Sequence, residues 1–318
     1  MKKFLLFLAM ISGTANFAQM YFSPNSYMYV GNQYVFVKQD VNIQSNANIF
    51  LRQGGQLLQG TTGSSTNSGA GKLSVFQEGN VDNYEYNYWC SPVGNASAAT
   101  GNESFGVTML NRPTAVSTSV PATILPSSSL DGTTTNTSLA IAPRWVFRFL
   151  SSSNYSEWVA TGSATAIGAG EGFTMKGTSG SDTSFAESGV NNNPGGAQRY
   201  DFMGKPNDGN IGISVALGKM TLTGNPYPSA LDLRSFLLAQ TNCTGVAYFW
   251  EQDKTVNSHY IAAYQGGYGT YAAGSNLYSA PVFYGYNGSG TQLSVVGSGT
   301  AYPREFSPIG QGFMIEGA

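Results

Sequence analysis

Two octapeptides, GEGFTMKG at Gly170–Gly177 and GQGFMIEG at Gly310–Gly317, occur in one chain of 318 residues. Each closes a matching series of landmarks, and that series constrains the fold more than any single motif. YEYNYWCSPVGN opens the first series and MTLTGNPYPSAL the second, so that a strand-like run meets proline at Ser91-Pro92 and again at Asn225-Pro226. Proline cannot donate to a ladder, and both strands are expected to stop there. RWVFRFL and GVAYFWEQD then follow as aromatic strands. In the first, Trp145, Phe147 and Phe149 alternate with Arg144, Val146 and Arg148, the period of a strand with one buried face. Three landmarks in one order predict a β-rich, sandwich-like unit occurring twice, at residues 81–218 and 219–318. Within the octapeptides, Gly170, Gly172, Gly310 and Gly312 are expected to form a turn or bulge, with Phe173 and Phe313 filling the core. A third glycine, a following helix and a P-loop lysine are missing, which separates these strings from nucleotide-binding loops.

Residues 19–80 read as a small strand-rich module. In YMYVGNQYVFV, Gly31-Asn32 suits a tight hairpin turn. In DVNIQSNANIFLRQGGQLLQG, Val41, Ile49 and Leu57 recur at even spacing while Ile43 and Leu51 keep the alternation; stacked β-solenoid rungs and a meander both fit. GTTGSSTNSGAG follows as a polar loop. The two larger units differ in their insertions, a Ser/Thr/Pro loop from Pro113 to Pro143 and a Tyr/Gly-rich stretch from Tyr260 to Tyr286. One helix is expected at ALDLRSFLLAQ, capped by Ser229 with Asp232 as capping-box partner and striped by Ala230, Leu233 and Leu237. After its octapeptide the first unit continues through QRYDFMGKPNDGNIGISV, expected to be a strand pair about an Asp208-Gly209 turn, whereas the second reaches Ala318. The second unit is therefore read as truncated, since it would leave an unpaired edge, and the chain as the N-terminal portion of a longer protein.

Lys2 and Lys3 precede an apolar run from Phe4 to Ile11 and small residues through Ala18, the pattern of a secretory signal peptide over residues 1–18. Cleavage is expected after Ala18, with Ala15 the alternative. No later stretch reaches the eighteen or so apolar residues of a membrane helix. Charged residues are 10% of the chain against 41% hydrophobic ones, and removing Lys2 and Lys3 takes the net charge from -2 to -4. Nothing in that balance attracts phosphate backbones, which excludes nucleic acid as an expected partner. Cys90 and Cys243 could pair or remain buried thiols.

Catalytic chemistry finds few candidates. His259 is the only histidine, so paired-histidine zinc sites are excluded, and its context VNSHYIAAY lacks a nucleophile elbow. A packing role is the plainer reading. Glu157, Glu171, Asp201, Asp232, Glu251 and Asp253 supply carboxylates for glycosidase chemistry, Glu251 with Asp253 being the leading pair. The Asn/Asp cluster DVNIQSNAN lacks the spacing of an EF-hand and reads as turns. No catalytic, cofactor or metal residue is assigned. Tyr260, Tyr264, Tyr268 and Tyr271, on a Gly-rich background, are the candidate ligand contacts, able to stack on sugar rings or grip a protein surface; core packing is the competing explanation.

The strings KLSVFQEGNVDNYEYNYWCSPVGN, YDFMGKPNDGNIGISV, LTGNPYPSALDLRSFL and IGQGFMIEG resemble the N-terminal regions of large secreted or surface proteins of flavobacteria and related Bacteroidota. The resemblance covers most of the mature chain. It implies export across the inner membrane, then outer-membrane passage by the type IX secretion machinery under a C-terminal sorting domain, which this sequence lacks. The expectation is an all-β, non-enzymatic extracellular or surface protein used in adhesion or surface scaffolding. The alternative is a carbohydrate-binding module or glycoside hydrolase-associated protein.

Overall fold

The computed structural model describes residues 19–318 apart from Ser188; the expected signal peptide lies outside the described residues. Strands account for 47% of the structure and helices for 6%, so the class is all-β.

Chain entry is a parallel coil. Strands β1 (Met20–Phe22), β2 (Tyr27–Gly31) and β3 (Tyr34–Val37) form one turn, and β4 (Val41–Ile43), β5 (Asn48–Arg52) and β6 (Gln56–Gln59) form the next. Each strand pairs parallel with the one above it, Met20 opposite Val41, Tyr27 opposite Asn48 and Tyr34 opposite Gln56. The solenoid alternative is therefore the one adopted. Val41, Ile43, Ile49, Leu51 and Leu57 point inward and are buried, while Tyr27, Tyr29, Tyr34 and Phe36 point outward and are exposed. The corners explain the register. Asn25 and Asn46 occupy equivalent corners at φ 62° and 59°, and Asn32 and Gln53 occupy the next at 51° and 52°. Asparagine tolerates this left-handed region, and the Asn46 amide donates to Asn25 Oδ1 at 3.2 Å, stacking one corner on the other. Gly31-Asn32 thus turns the chain into the next face of the coil, correcting the expected hairpin: β2 and β3 pair with β5 and β6, not with each other.

Strand β7 (Lys72–Glu78) adds parallel to β5 and then, on its other edge, antiparallel to Arg199–Pro206. One sheet therefore runs through the expected boundary at residue 80. Leu110–Ala115 and Thr118–Pro121 extend it, and Val93–Gly94 pairs with the end of Arg199–Pro206. The stretch Pro113–Pro143, expected as a loop, is ordered into short strands, three of them in a small sheet closed by Thr178–Gly180. Beyond Gly209, by contrast, residues 210–216 form no strand, so the expected strand pair reduces to the single strand Arg199–Pro206.

The two octapeptides sit in the same pairing context. Gly172–Lys176 pairs antiparallel with β8 (Tyr86–Cys90), placing Gly172 opposite Cys90 and Phe173 opposite Trp89. Gly312–Gly317 pairs with Met220–Gly224, placing Gly312 opposite Gly224 and Phe313 opposite Thr223. On the other edge Phe147 meets Thr174, and Tyr248 meets Met314. Five residues upstream of each second glycine, Ile167 bridges Phe105, and Ser307 bridges Leu231. Gly170 and Gly310 have φ of 82° and 77°, the turn that admits each strand. Gly172, Gly224 and Gly312 serve a different end. A Cβ on Gly172 would lie 2.5 Å from Thr223 O, and one on Gly312 would lie 2.7 Å from the Tyr88 and Trp89 backbone. One strand pair thus crosses the other at backbone contact, sealed by Cys90 N donating to Gly310 O at 2.8 Å.

The helix α1 (Leu233–Ala239) begins later than expected. Its N-cap is Asp232, which accepts from Ser235 N at 2.8 Å; Leu233 and Leu237 are buried, and Ala230 is exposed. Of RWVFRFL only Phe147–Arg148 is strand, because Pro143–Trp145 forms a 3-10 turn with proline at its start. Val146 is buried in the main core, and Phe149 in a smaller cluster with Leu222 and Met314.

Candidate functional site

The strand YEYNYWC has aromatic residues on both faces. Its pleat sends Trp89 into the main core while Tyr86 and Tyr88 look outward, half-buried. The aromatic strand Cys243–Gln252 behaves likewise, Phe249 entering the second core and Trp250 pointing away from it. Between these outward faces lies a cleft of about 470 Å³. Trp145, Phe147 and Phe149 from the first unit meet Trp250, Tyr268 and Tyr286 from the second. Met220 and Met314 lie beneath, and Tyr155 and Trp158 form one rim. Eleven of the seventeen lining residues are aromatic and none is charged.

Edge-to-face contacts hold the rings, the geometry their quadrupoles favour. Tyr88 packs on Trp158 with centroids 6.1 Å apart, and Trp250 on Tyr268 at 5.1 Å. The Tyr88 and Tyr268 hydroxyls meet across the units at 2.8 Å. Burial pushes both phenols well above the ordinary tyrosine value, so they remain neutral donors and acceptors.

A compact ionisable cluster stands at one end of the cleft. Lys176, only 4% exposed, donates to Tyr264 Oη at 2.7 Å and faces His259 Nδ1 at 3.2 Å. Its ammonium also lies 4.2 Å from the Trp145 ring centroid and 4.9 Å from those of Tyr86 and Tyr264. Burial pulls this lysine down to about 7 against the opposing pull of Glu85, Asp131 and Asp82. Glu85, 1% exposed, is pushed up to about 8, first by burial and then by its hydrogen bond and charge contact with Asp82. His259 Nε2 lies 2.9 Å from Asp131 Oδ1, and its ring stacks on Trp145 at 5.2 Å and 12°.

The four candidate tyrosines separate. Tyr264 and Tyr268 line the cleft. Tyr260 lies outside it, 80% exposed, while Tyr271 is buried in the second core and donates to Asn276. Strand alternation accounts for the last division, because Tyr268 and Tyr271 are three residues apart and so face opposite ways. The six candidate carboxylates are each engaged locally. Glu157 caps a 3-10 turn, Glu171 pairs with Arg148, Asp201 accepts from Ser74 and Ser119, and Asp232 caps α1. Glu251 accepts from Thr300 N, and Asp253 from Thr255. Cys90 and Cys243 are both free thiols. Among the described residues, no group of three His, Cys, Asp or Glu side chains could hold a metal ion, and no helix is long and apolar enough to cross a membrane.

Trp145, Trp158, Trp250, Tyr86, Tyr88 and Tyr286 were not singled out as ligand contacts by sequence reasoning. The available signal was aromatic residues at consecutive strand positions: a strand that buries one aromatic face has a second aromatic face to place.

A family model described as a domain of unknown function, DUF8693, matches residues 7–318. No curated protein and no solved structure matches the chain.

Proposed function

The chain belongs to the DUF8693 family, and from that premise we propose that it is an exported, non-enzymatic binding protein that holds a neutral glycan in the aromatic cleft, as part of adhesion at the cell surface. The observation that carries this reading is the lining itself, eleven aromatic residues with no charge among seventeen. Such walls offer flat faces to the C–H faces of sugar rings and no ion pair to an acidic or basic ligand. The Tyr88–Tyr268 hydroxyl pair adds polar recognition. Each is the other's sole protein partner among the described residues, and one donates to the other, so one O–H proton remains for a sugar oxygen. Export is supported by Lys2, Lys3 and the Phe4–Ile11 run, and passage through the type IX machinery by the resemblance of the chain's motifs.

The test is a neutral oligosaccharide array probed with the mature chain, followed by calorimetry on any glycan retained. Saturable binding that weakens at least about tenfold in Trp250→Ala or Trp158→Ala is expected, the loss of one stacking face. An array silent for the wild-type chain, or binding indifferent to both substitutions, overturns the reading.

A further inference from the structure

We propose that residues 253–264 form a movable wall of the cleft, latched by His259, and that the latch opens when the His259–Lys176 pair takes up its second proton. The latch rests on its own geometry; its consequence for ligand rests on the glycan reading above.

The segment leaves the second unit after Gln252 and lies against the first. Lys254 Nζ donates to Asn80 O at 2.6 Å, holding one end. At the other end Ile261 and Tyr264 form part of the cleft wall. Between them, His259 is clasped on every side. Its Nε2 faces Asp131 Oδ1, which also accepts from the Asn83 amide, and its ring lies between Trp145 and Tyr84, whose centroid is 4.9 Å away. Nδ1 faces Lys176, and the Tyr264 hydroxyl reaches the His259 carbonyl at 3.3 Å. The other charges nearby are Glu85 and Asp82 behind Lys176, and Arg144 over the Trp145 ring.

These partners fix the tautomer. A carboxylate at Nε2 requires N–H there, so Nδ1 carries the lone pair that accepts from Lys176. The pair holds one proton comfortably, either as ammonium donating to imidazole or as imidazolium donating to a neutral amine. A second proton sets two cations 3.2 Å apart with no acceptor between them. Glu85 offers no compensation, since a carboxyl pushed up to about 8 is neutral in acid. Asp131 and Asp82 remain, and only Asp131 touches the ring. Relief comes from withdrawing the imidazole, which carries Tyr264 and Ile261 out of the wall.

With a single histidine, its ring nitrogens are assigned in the 15N spectrum of the whole chain without ambiguity. The Nε2–H tautomer is expected at pH 8, and Lys176→Met, which removes one of the two cations, is expected to blunt the acid opening. Amide protection across residues 254–264, corrected for intrinsic exchange, is expected to fall at least about tenfold from pH 8 to pH 5 while Cys243–Gln252 and Gln265–Ala272 hold theirs. His259→Gln keeps a donor for Asp131 but cannot be protonated, and should retain protection at pH 5. The opposite tautomer, or acid loss of protection in His259→Gln equal to wild type, sinks the latch even if Lys176→Met does not fold. None of these readouts involves ligand, so a silent glycan array with a working latch removes only the glycan.

Discussion

Glu85 shows how much one side chain in this charge-poor molecule governs. It lies on the inward face of β8's approach, 1% exposed, with Oε1 unpartnered among the described residues and Oε2 accepting from Asp82 N at 3.3 Å. Its folded value, about 8, stands above the ordinary 4.5, so the native state holds this proton more tightly than the unfolded chain. The resulting stability is complete below about pH 4.5 and is lost as pH rises through 8. Lys176 runs the other way. Depressed to about 7 from 10.5, it penalises the fold fully below pH 7, and the penalty lifts between 7 and 10.5. Glu85→Gln, which keeps the shape without the charge, should therefore gain stability over wild type at pH 8, on the order of 3 kcal/mol relative to the difference at pH 5. Urea unfolding of both proteins at the two pH values measures this, and an equal difference at both would refute the burial argument. Neither residue could be chosen from the sequence. The surroundings of Glu85 and Lys176 are assembled from β8, the first octapeptide and the 253–264 segment, and no local pattern reports that convergence.

At the scale of elements, local signals fared according to whether a distant strand competed for the same backbone. The inward alternation of Val41, Ile43, Ile49, Leu51 and Leu57 was legible because burial alone decides it. The start of α1 was not. Ser229 three residues before Asp232 reads as a cap, yet Leu231 and Asp232 are taken by Ser307 and Phe306 in a short antiparallel pair. That pairing consumes the turn Ser229 would have opened and passes the cap to Asp232. Asp232→Ala should cost about 1 kcal/mol of stability, the usual worth of an N-cap, while Ser229→Ala should change it by only a few tenths. Chemical denaturation of the pair decides between the caps, and equal losses would restore the sequence-level choice. The cleft was half-legible for a related reason. Tyr264 and Tyr268 drew attention through their Gly-rich setting, whereas Trp145 and Trp250 belong to runs that also feed the cores. A one-dimensional pattern cannot divide such a run between core and cleft until the partner sheet is known.

Across the whole molecule, the cleft exists because two antiparallel strand pairs cross at glycines. Phe149, Leu222 and Met314 form a small core between the units, with Tyr88, Trp158 and Tyr268 packed against it and opening into the cleft. The recurrence of Gly-x-Gly-Phe was plain in the sequence, but the task of its second glycine was not, because the atoms that exclude a Cβ belong to the other strand pair. This makes the crossing a mechanical joint between the units. Gly312→Ala would drive a methyl group into the Tyr88–Trp89 backbone, which cannot swing aside as a side chain would, and overpacking of this kind costs about 1–3 kcal/mol or more. Gly212→Ala, where a Cβ would meet nothing within 4 Å, is the control and should be nearly neutral. Followed by near-ultraviolet and far-ultraviolet circular dichroism together, wild type should unfold in one coincident transition, since Ile309 of the second unit is itself part of the main core. Gly312→Ala should lower that transition and separate the two signals, the tryptophans around the cleft loosening before the strands melt. If Gly312→Ala and Gly212→Ala unfold alike, the glycine crossing does not couple the units, and the cleft must owe its shape to the aromatic rings alone.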